Sequence, residues 1–239
     1  MSEKAITLGI MQPYIFPYIG YFQYIAATDL FVLYDDVTFI KQGWVNRNRI
    51  LLNGQPYTFT VPVSAISSFR KIRDTYLHEQ SFSKWKSSFM VTLFHAYHKA
   101  PYYHDVLPVI EKTIQTPYKT IGEFAASCIF EICSFLEINT TILVNPDRFN
   151  NNGLQAQERI IDICQQSGAK KYINPIGGQS LYSSEDFLAN GIDLKFIKSK
   201  LPVYHQAKSQ WIPSLSIIDV LMFNNKSQVQ EMLNEYTLV

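Results

Sequence analysis

Apolar residues fall along this chain in two rhythms, short runs of strand length and longer stretches spaced by three and four. Ile6, Leu8 and Ile10, with Thr7, Gly9 and Met11 between them, form the first run. Gln12-Pro13 stops it, because proline offers no N–H to a ladder. From Gly20 to Thr28 polar breaks are sparse, which predicts a helix, and Leu30-Phe31-Val32-Leu33 predicts a second strand ending at Asp35-Asp36. Strand, helix and strand in that order describe a βαβ unit. Its right-handed crossover puts the first loop and the carboxyl end of the second strand at one sheet edge, where open α/β sheets bind ligands.

The pattern then changes. Two strands joined at Asn53-Gly54 predict a hairpin, since that dipeptide suits tight turns. From Phe69 to Leu136 the spacing is helical: Trp85, Phe89, Leu93 and Tyr97 recur every fourth residue, and Pro101 ends the run. Further helices are predicted over Val106 to Ile114 and Thr120 to Leu136. Thr140 to Val144 returns to a strand, Leu154 to Ser167 reads as a helix closed by Gly168, and a short strand breaks at Asn174-Pro175 and Gly177-Gly178. Ser184 to Ala189 predicts a helix, Ile192 to Ile197 a strand, and a last helix starts near Pro213-Ser214 with Ile217, Ile218 and Leu221 as its stripe. The expected fold is α/β, a Rossmann-like and mostly parallel sheet with a helical layer in the middle of the chain. Its parts are an N-terminal βαβ unit and hairpin (1–68), a packed helical segment (69–138) and a C-terminal α/β part completing one domain (139–239).

Composition narrows the function. The 239 residues are 47% hydrophobic and 17% charged, enough for a substantial core. A formal charge of +1 argues against a general nucleic-acid binder, whose affinity comes from clustered Lys and Arg. With 15 Tyr and 16 Phe, the chain is rich in side chains that suit sugars and nucleotides, although the same residues fill cores. No run approaches the ~20 apolar residues of a spanning helix. Met1 to Lys4 lead directly into the first strand without a secretory pattern, so a cytoplasmic location is expected. Cys128, Cys133 and Cys164 lack metal-like spacing and read as buried thiols. His95, His98 and His104 lie close together without a fitting further ligand and read as surface or structural histidines.

The candidate chemistry lies around the predicted sheet edge. Tyr14, Phe16, Tyr18, Tyr21 and Phe22 crowd Pro13, Pro17 and Gly20, so Gln12, Tyr14, Pro17, Gly20 and Tyr21 are candidate substrate-binding residues; packing alone is the bland alternative. Asp35 and Asp36 are the candidate catalytic pair, to bind Mg²⁺ or orient an attacking amine, against the alternative of solvated strand ends. Arg47 and Arg49 share one strand face and, with Lys41, could grip the oxygens of an anion; a basic edge strand that resists aggregation would look the same. Asn174, Gly177 and Gly178 bring backbone N–H groups near the strand end, as a phosphate cradle or as an ordinary loop. Asp219 sits on an apolar helix face and needs a partner, with Tyr204, His205 or a basic residue as candidates. Tyr204 joins the substrate-binding set.

The segments IMQPYIFPYIGYFQYI, DLFVLYDDVTFIKQGWVNRNRI, YINPIGGQSLY and WIPSLSIIDVLMFN make the chain similar to the WbqC-like family of bacterial proteins, over nearly its whole length. That resemblance implies a setting in O-antigen and related cell-surface polysaccharide biosynthesis, with glycine transfer onto an amino sugar as one activity. It supplies no catalytic residues. The opening unit also resembles, more distantly, nucleotidyltransferase-like α/β proteins, which carry an HxGH-type motif between the first strand and helix. Gln12, Pro13, Pro17 and Gly20 stand there instead, without a histidine. Two readings follow: a transferase acting on an amino sugar on a nucleotide or lipid carrier, with ATP and Mg²⁺ as candidate cofactors, or a non-catalytic nucleotide-sugar-binding protein of the same pathway.

Overall fold

The computed structural model describes residues 5–64, 69–144, 146–207 and 210–239. Its main sheet has six strands. β1 (Ile6–Met11), β2 (Leu30–Leu33), β5 (Thr141–Leu143), β6 (Ala169–Pro175) and β7 (Asp193–Ser199) run parallel, and β8 (Tyr236–Leu238) closes one edge antiparallel to β7. The spatial order is β5-β2-β1-β6-β7-β8. Counting sheet strands alone this is 3-2-1-4-5-6, the order of doubly wound sheets, and the chain reverses direction of growth between β1 and β6. A separate hairpin pairs β3 (Arg47–Leu52) with β4 (Gln55–Thr60). Asn53 and Gly54 at its turn both have positive φ, 52° and 76°, the geometry that the predicted Asn-Gly turn requires.

Strand residues alternate between two apolar layers, as a sheet covered on both faces demands. Phe31, Leu33, Ile173 and Ile197 face α1 (Ile19–Ala26), the helical block of α2 (Glu79–Tyr97), α3 (Tyr103–Gln115) and α4 (Ile121–Phe135), and α7 (Ile217–Phe223). Leu8, Ile10, Val32, Tyr172, Leu194 and Phe196 face α5 (Ala156–Gln166) and α6 (Ser184–Ala189). The predicted stripe on α2 is real: Phe89, Leu93 and Tyr97 are buried, and Trp85 packs beside them. Thr120 and Glu123 cap α4 reciprocally, which fixes where that helix begins.

Two expectations shift. α3 starts at Tyr103, ahead of the expected Val106, and keeps Pro108 inside it. The last predicted helix starts at Ile217 instead of near Pro213-Ser214, because Ser214 adopts a left-handed φ of 57° and the Ser216 hydroxyl caps the Ile218 N–H. A further helix, α8 (Lys226–Met232), and β8 follow without a sequence expectation. Among the described residues no helix is long and apolar enough to cross a membrane.

Candidate functional site

The loop after β1 is held by its neighbours from three sides. Phe16 is fully buried at a left-handed φ of 41°, a conformation that costs a non-glycine residue roughly 1–3 kcal/mol and persists only where the surroundings fix it. The Asn48 side-chain amide donates to the Ile15 and Phe16 carbonyls at 3.0 and 2.6 Å, and the Ser216 hydroxyl donates to the Phe16 carbonyl at 2.8 Å. The Ile15 N–H donates to the Val45 carbonyl at 3.1 Å. Within the loop the Tyr14 hydroxyl accepts from the Tyr18 N–H, and the Tyr21 hydroxyl donates to the Gln12 carbonyl. Pro17, Gly20 and Tyr21 are buried, with the Tyr18 ring lying over Gly20 so closely that a Cβ there would meet it at 2.4 Å. Packing therefore accounts for those three, while Gln12 and Tyr14 stay half-buried at the carboxyl end of β1.

Asp35 and Asp36 follow the parallel neighbour β2, whose Leu33 pairs with Met11 in register, so both stand at the same sheet edge as Gln12. They are 7% and 3% exposed, which removes the alternative of solvated strand ends. Asp36 Oδ2 pairs with the Arg159 guanidinium of α5. Arg159 also donates through Nε to Asn151 at 3.0 Å and through Nη2 to Asn152 at 3.1 Å, and its guanidinium lies 4.8 Å from the Tyr34 ring centre. Oδ1 of Asp35 and Oδ1 of Asp36 are both buried without a hydrogen-bond partner among the described residues. Burial pushes the Asp35 carboxyl up to about 6; nearby Arg73 opposes the rise and Asp36 adds to it. Arg73 is itself paired with Asp147 at 2.5 Å. Among the described residues no three His, Cys, Asp or Glu side chains converge as a metal cage. A Mg²⁺ ion on these two carboxylates would therefore complete its shell with water and substrate oxygens, as that ion commonly does.

The arginine pair lies on the hairpin. Arg47 and Arg49 share a face of β3, and both guanidinium groups lie over the Trp44 ring, 5.3 and 5.5 Å from its centre. Arg47 also donates to the Gln42 carbonyl. Nε of each arginine is buried and unpartnered among the described residues. Lys41 is exposed on the preceding turn. The hairpin and the turn before it meet the β1 loop through Asn48 and Val45, but no hydrogen bond or ion pair among the described residues joins these arginines to Asp35 or Asp36.

Residues 12–231 match the WbqC-like protein family. The chain belongs to that family. A curated relative, the uncharacterized protein Rv1507c of Mycobacterium tuberculosis (strain ATCC 25618 / H37Rv), is 27% identical over 233 residues, covering 95% of this chain and 96% of the relative. No solved structure matches the sequence.

Beyond β6 the glycine pair of this WbqC-like chain lies in a tight turn. Ile176–Leu181 form a 3-10 turn, and neither Gly177 nor Gly178 has a positive φ. At Gly178 a Cβ would meet Asn174 Nδ2 at 2.2 Å and push that amide aside, whereas at Gly177 it would meet nothing within 4 Å. Asn174 is buried and accepts from the Tyr172 hydroxyl at 3.2 Å. Tyr34 after β2 and Tyr182 after the 3-10 turn both pack on the layer under α5, on either side of β1. Gln157 of α5 accepts from the Ser183 N–H at 2.6 Å, so this helix ties the two strand ends together.

Tyr204 serves a different place. Its hydroxyl and that of Tyr97 donate to the two oxygens of fully buried Asp219, each at 2.8 Å, and the Leu51 N–H donates to Tyr97. Of the candidate partners for Asp219, Tyr204 holds and His205 is exposed. His95, His98 and His104 are exposed on α2 and α3. All three cysteines are buried, with burial pushing the Cys133 and Cys164 thiols up to about 12. A cleft of about 430 Å³ lies at the opposite edge of the sheet among Asp29, Glu137, Thr140 and Gln230, away from Asp35, Asp36, Arg47 and Arg49. Two residues that hold these groups in place, Arg159 and Asn48, are not among those the sequence singled out. Arg159 lies on α5 beside buried Ile160 and Ile161 and gave no signal, but Asn48 had one: it occupies an inward position of β3, between Asn46 and Ile50.

Proposed function

We propose that the protein binds an amino sugar carried on a nucleotide or lipid diphosphate at the carboxyl edge of its sheet, and transfers an aminoacyl group, glycyl among them, onto the sugar's amine in cell-surface polysaccharide assembly. The observation that carries this reading is the pair of buried carboxylate oxygens, Asp35 Oδ1 and Asp36 Oδ1, left unpartnered beside the strand end. A buried acceptor without a donor costs about 1–3 kcal/mol, and a ligand that donates there recovers it. The strand order supports a Rossmann-like assignment, with the switch point at the β1 and β6 ends where such sheets bind ligands.

In this reading Asp35, titrating near neutrality, takes the proton from the acceptor nitrogen as the new N–C bond forms and the bond from the acyl carbon to its leaving group breaks. Asp36 is held in place by Arg159 and directs its free oxygen to a substrate hydroxyl, the amine or Mg²⁺. Arg47 and Arg49 face the diphosphate with guanidinium groups that have no acidic partner among the described residues. Gln12, Tyr14 and Asn174 line the approach. Mg²⁺ would neutralise phosphate charge, and ATP would activate the acyl donor.

Isothermal titration with nucleotide sugars, with and without ATP and Mg²⁺, followed by mass spectrometry of the products, tests the proposal. Asp35→Asn should abolish product while Arg47→Ala weakens binding. Turnover that survives both substitutions would remove the assigned roles. A second reading, a carrier protein that binds without reacting, is favoured by the depth of all three thiols, which leaves no cysteine placed to form an acyl intermediate. Binding with no mass change in any ligand would establish it.

A further inference from the structure

The formal charge of +1 conceals a strong asymmetry. Between Asp36 and Asp74 the chain has six Lys or Arg and no Asp or Glu, so residues 37–73 carry +6 and the remainder carries −5. The fold gathers much of this charge on one surface. Val37 to Phe39 pair antiparallel with Arg70 to Ile72, through the Ile72 N–H to Val37 at 2.9 Å and the Phe39 N–H to Arg70 at 2.8 Å. The next facing positions along that register are Ile40 and Phe69, which are 59% and 90% exposed. A turn closed by the Gly43 N–H donating to Ile40 then brings up Trp44, 49% exposed, under the two arginines. Lys41, Arg47, Arg49 and Arg70 form no ion pair with an acid among the described residues.

Exposed aliphatic and aromatic side chains ringed by unpaired cations match an anionic bilayer surface, where the apolar groups enter the interfacial layer and Lys or Arg meets phosphate. A single-stranded nucleic acid would need open aromatic faces for its bases. Of the three apolar residues only Phe69 offers an exposed ring, since both guanidinium groups already lie over the Trp44 ring and Ile40 has no flat face, and one ring makes no row of stacking platforms. Burial in hydrocarbon is what Ile40 gains from a partner.

We propose that Ile40, Trp44 and Phe69, with the surrounding Lys41, Arg47, Arg49 and Arg70, dock the protein peripherally on an anionic membrane. Docking stands on this surface alone. Its consequence rests on the proposed function: of the two carriers, the acceptor sugar is then the one on a lipid diphosphate, presented to Arg47 and Arg49 at the membrane.

Sedimentation of the full-length protein with vesicles of phosphatidylcholine alone, or with a third of phosphatidylglycerol, tests this. Binding is expected only to the anionic vesicles, weakening with added salt, and falling about fivefold for each charge removed in Lys41→Ala and Arg70→Ala. Ile40→Ser with Phe69→Ser should also weaken it while circular dichroism stays native. A blue shift of tryptophan emission on binding should vanish in Trp44→Phe, although Trp85 and Trp211 remain. Failure to sediment with anionic vesicles, or substitutions without effect, would overturn the inference. Tighter binding to a single-stranded oligonucleotide at the same salt would reassign the patch. Protein that binds nucleotide sugars by calorimetry but ignores vesicles loses the docking and keeps the proposed function.

Discussion

At neutral pH Asp35 is ionised against its own burial. Its carboxyl titrates near 6 in the fold and near 3.9 in the unfolded chain, so the native state holds its proton more tightly. The sign follows: the contribution to stability is greatest below about pH 4, falls as pH rises between about 4 and 6, and above that is a penalty on the order of 3 kcal/mol. Asp35→Asn should therefore raise the melting temperature at pH 7.5 by several degrees and leave it nearly unchanged at pH 4, while removing turnover. Thermal denaturation at the two pH values measures this; a variant destabilised equally at both would mean that the carboxylate is a structural ligand. If Asp35 is the base, kcat/KM should rise through about pH 6 with unit slope. The glycine pair gives a second test at this scale. Gly177→Ala enters open space and should be silent, whereas Gly178→Ala must displace the Asn174 amide and should weaken ligand affinity by about tenfold without unfolding the chain. Equal effects in calorimetry would remove Asn174 from the site.

Among elements, the hairpin and the β1 loop are joined through Asn48. Asn48→Ala leaves the Ile15 carbonyl without that donor and the Phe16 carbonyl with Ser216 alone, at a cost of about 1–3 kcal/mol. In a chain of this size that lowers the melting temperature by about 2–4 °C per kcal/mol, and Ser216→Ala should add less than its own separate effect because the two share one carbonyl. Additivity in the double variant would show that they act independently. The β1-α1-β2 unit and the helical block were legible in sequence because each follows one apolar period for several residues, and the hairpin because Asn53-Gly54 marks its turn. α8 and β8 were not: α8 buries little beyond Val229, and three residues of β8 are too few for alternation. Site residues divide in the same way. The acids and arginines were visible at strand ends, but Arg159 comes from a helix more than a hundred residues later, and only the β5-α5-β6 crossover brings it to Asp36.

For the whole molecule, the question is whether the helical segment at 69–138 is a separate unit or part of one core. α2, α3 and α4 bury Phe89, Ile110, Ile129 and their neighbours in the same apolar cluster as Phe31 and Leu33 of β2 and Ile197 of β7. The Leu51 N–H, Tyr97 and Asp219 form a continuous hydrogen-bonded path from the hairpin through α2 to α7. Loosening the helical block would therefore expose one face of the sheet, and because strand residues alternate, the layer under α5 would lose its support as well. We expect one cooperative transition. Scanning calorimetry should give a calorimetric enthalpy equal to the van't Hoff enthalpy, with a heat-capacity change of about 3 kcal/mol/K from the usual 12–15 cal/mol/K per residue. Asp219→Asn should lower the single melting temperature without splitting the peak, since it weakens a path that spans the parts instead of an edge of one. A separate early transition carrying about a third of the enthalpy would assign 69–138 to an independent unit. It would also loosen α2 and the path from Tyr97 to Leu51, and with them the hairpin that holds Arg47 and Arg49.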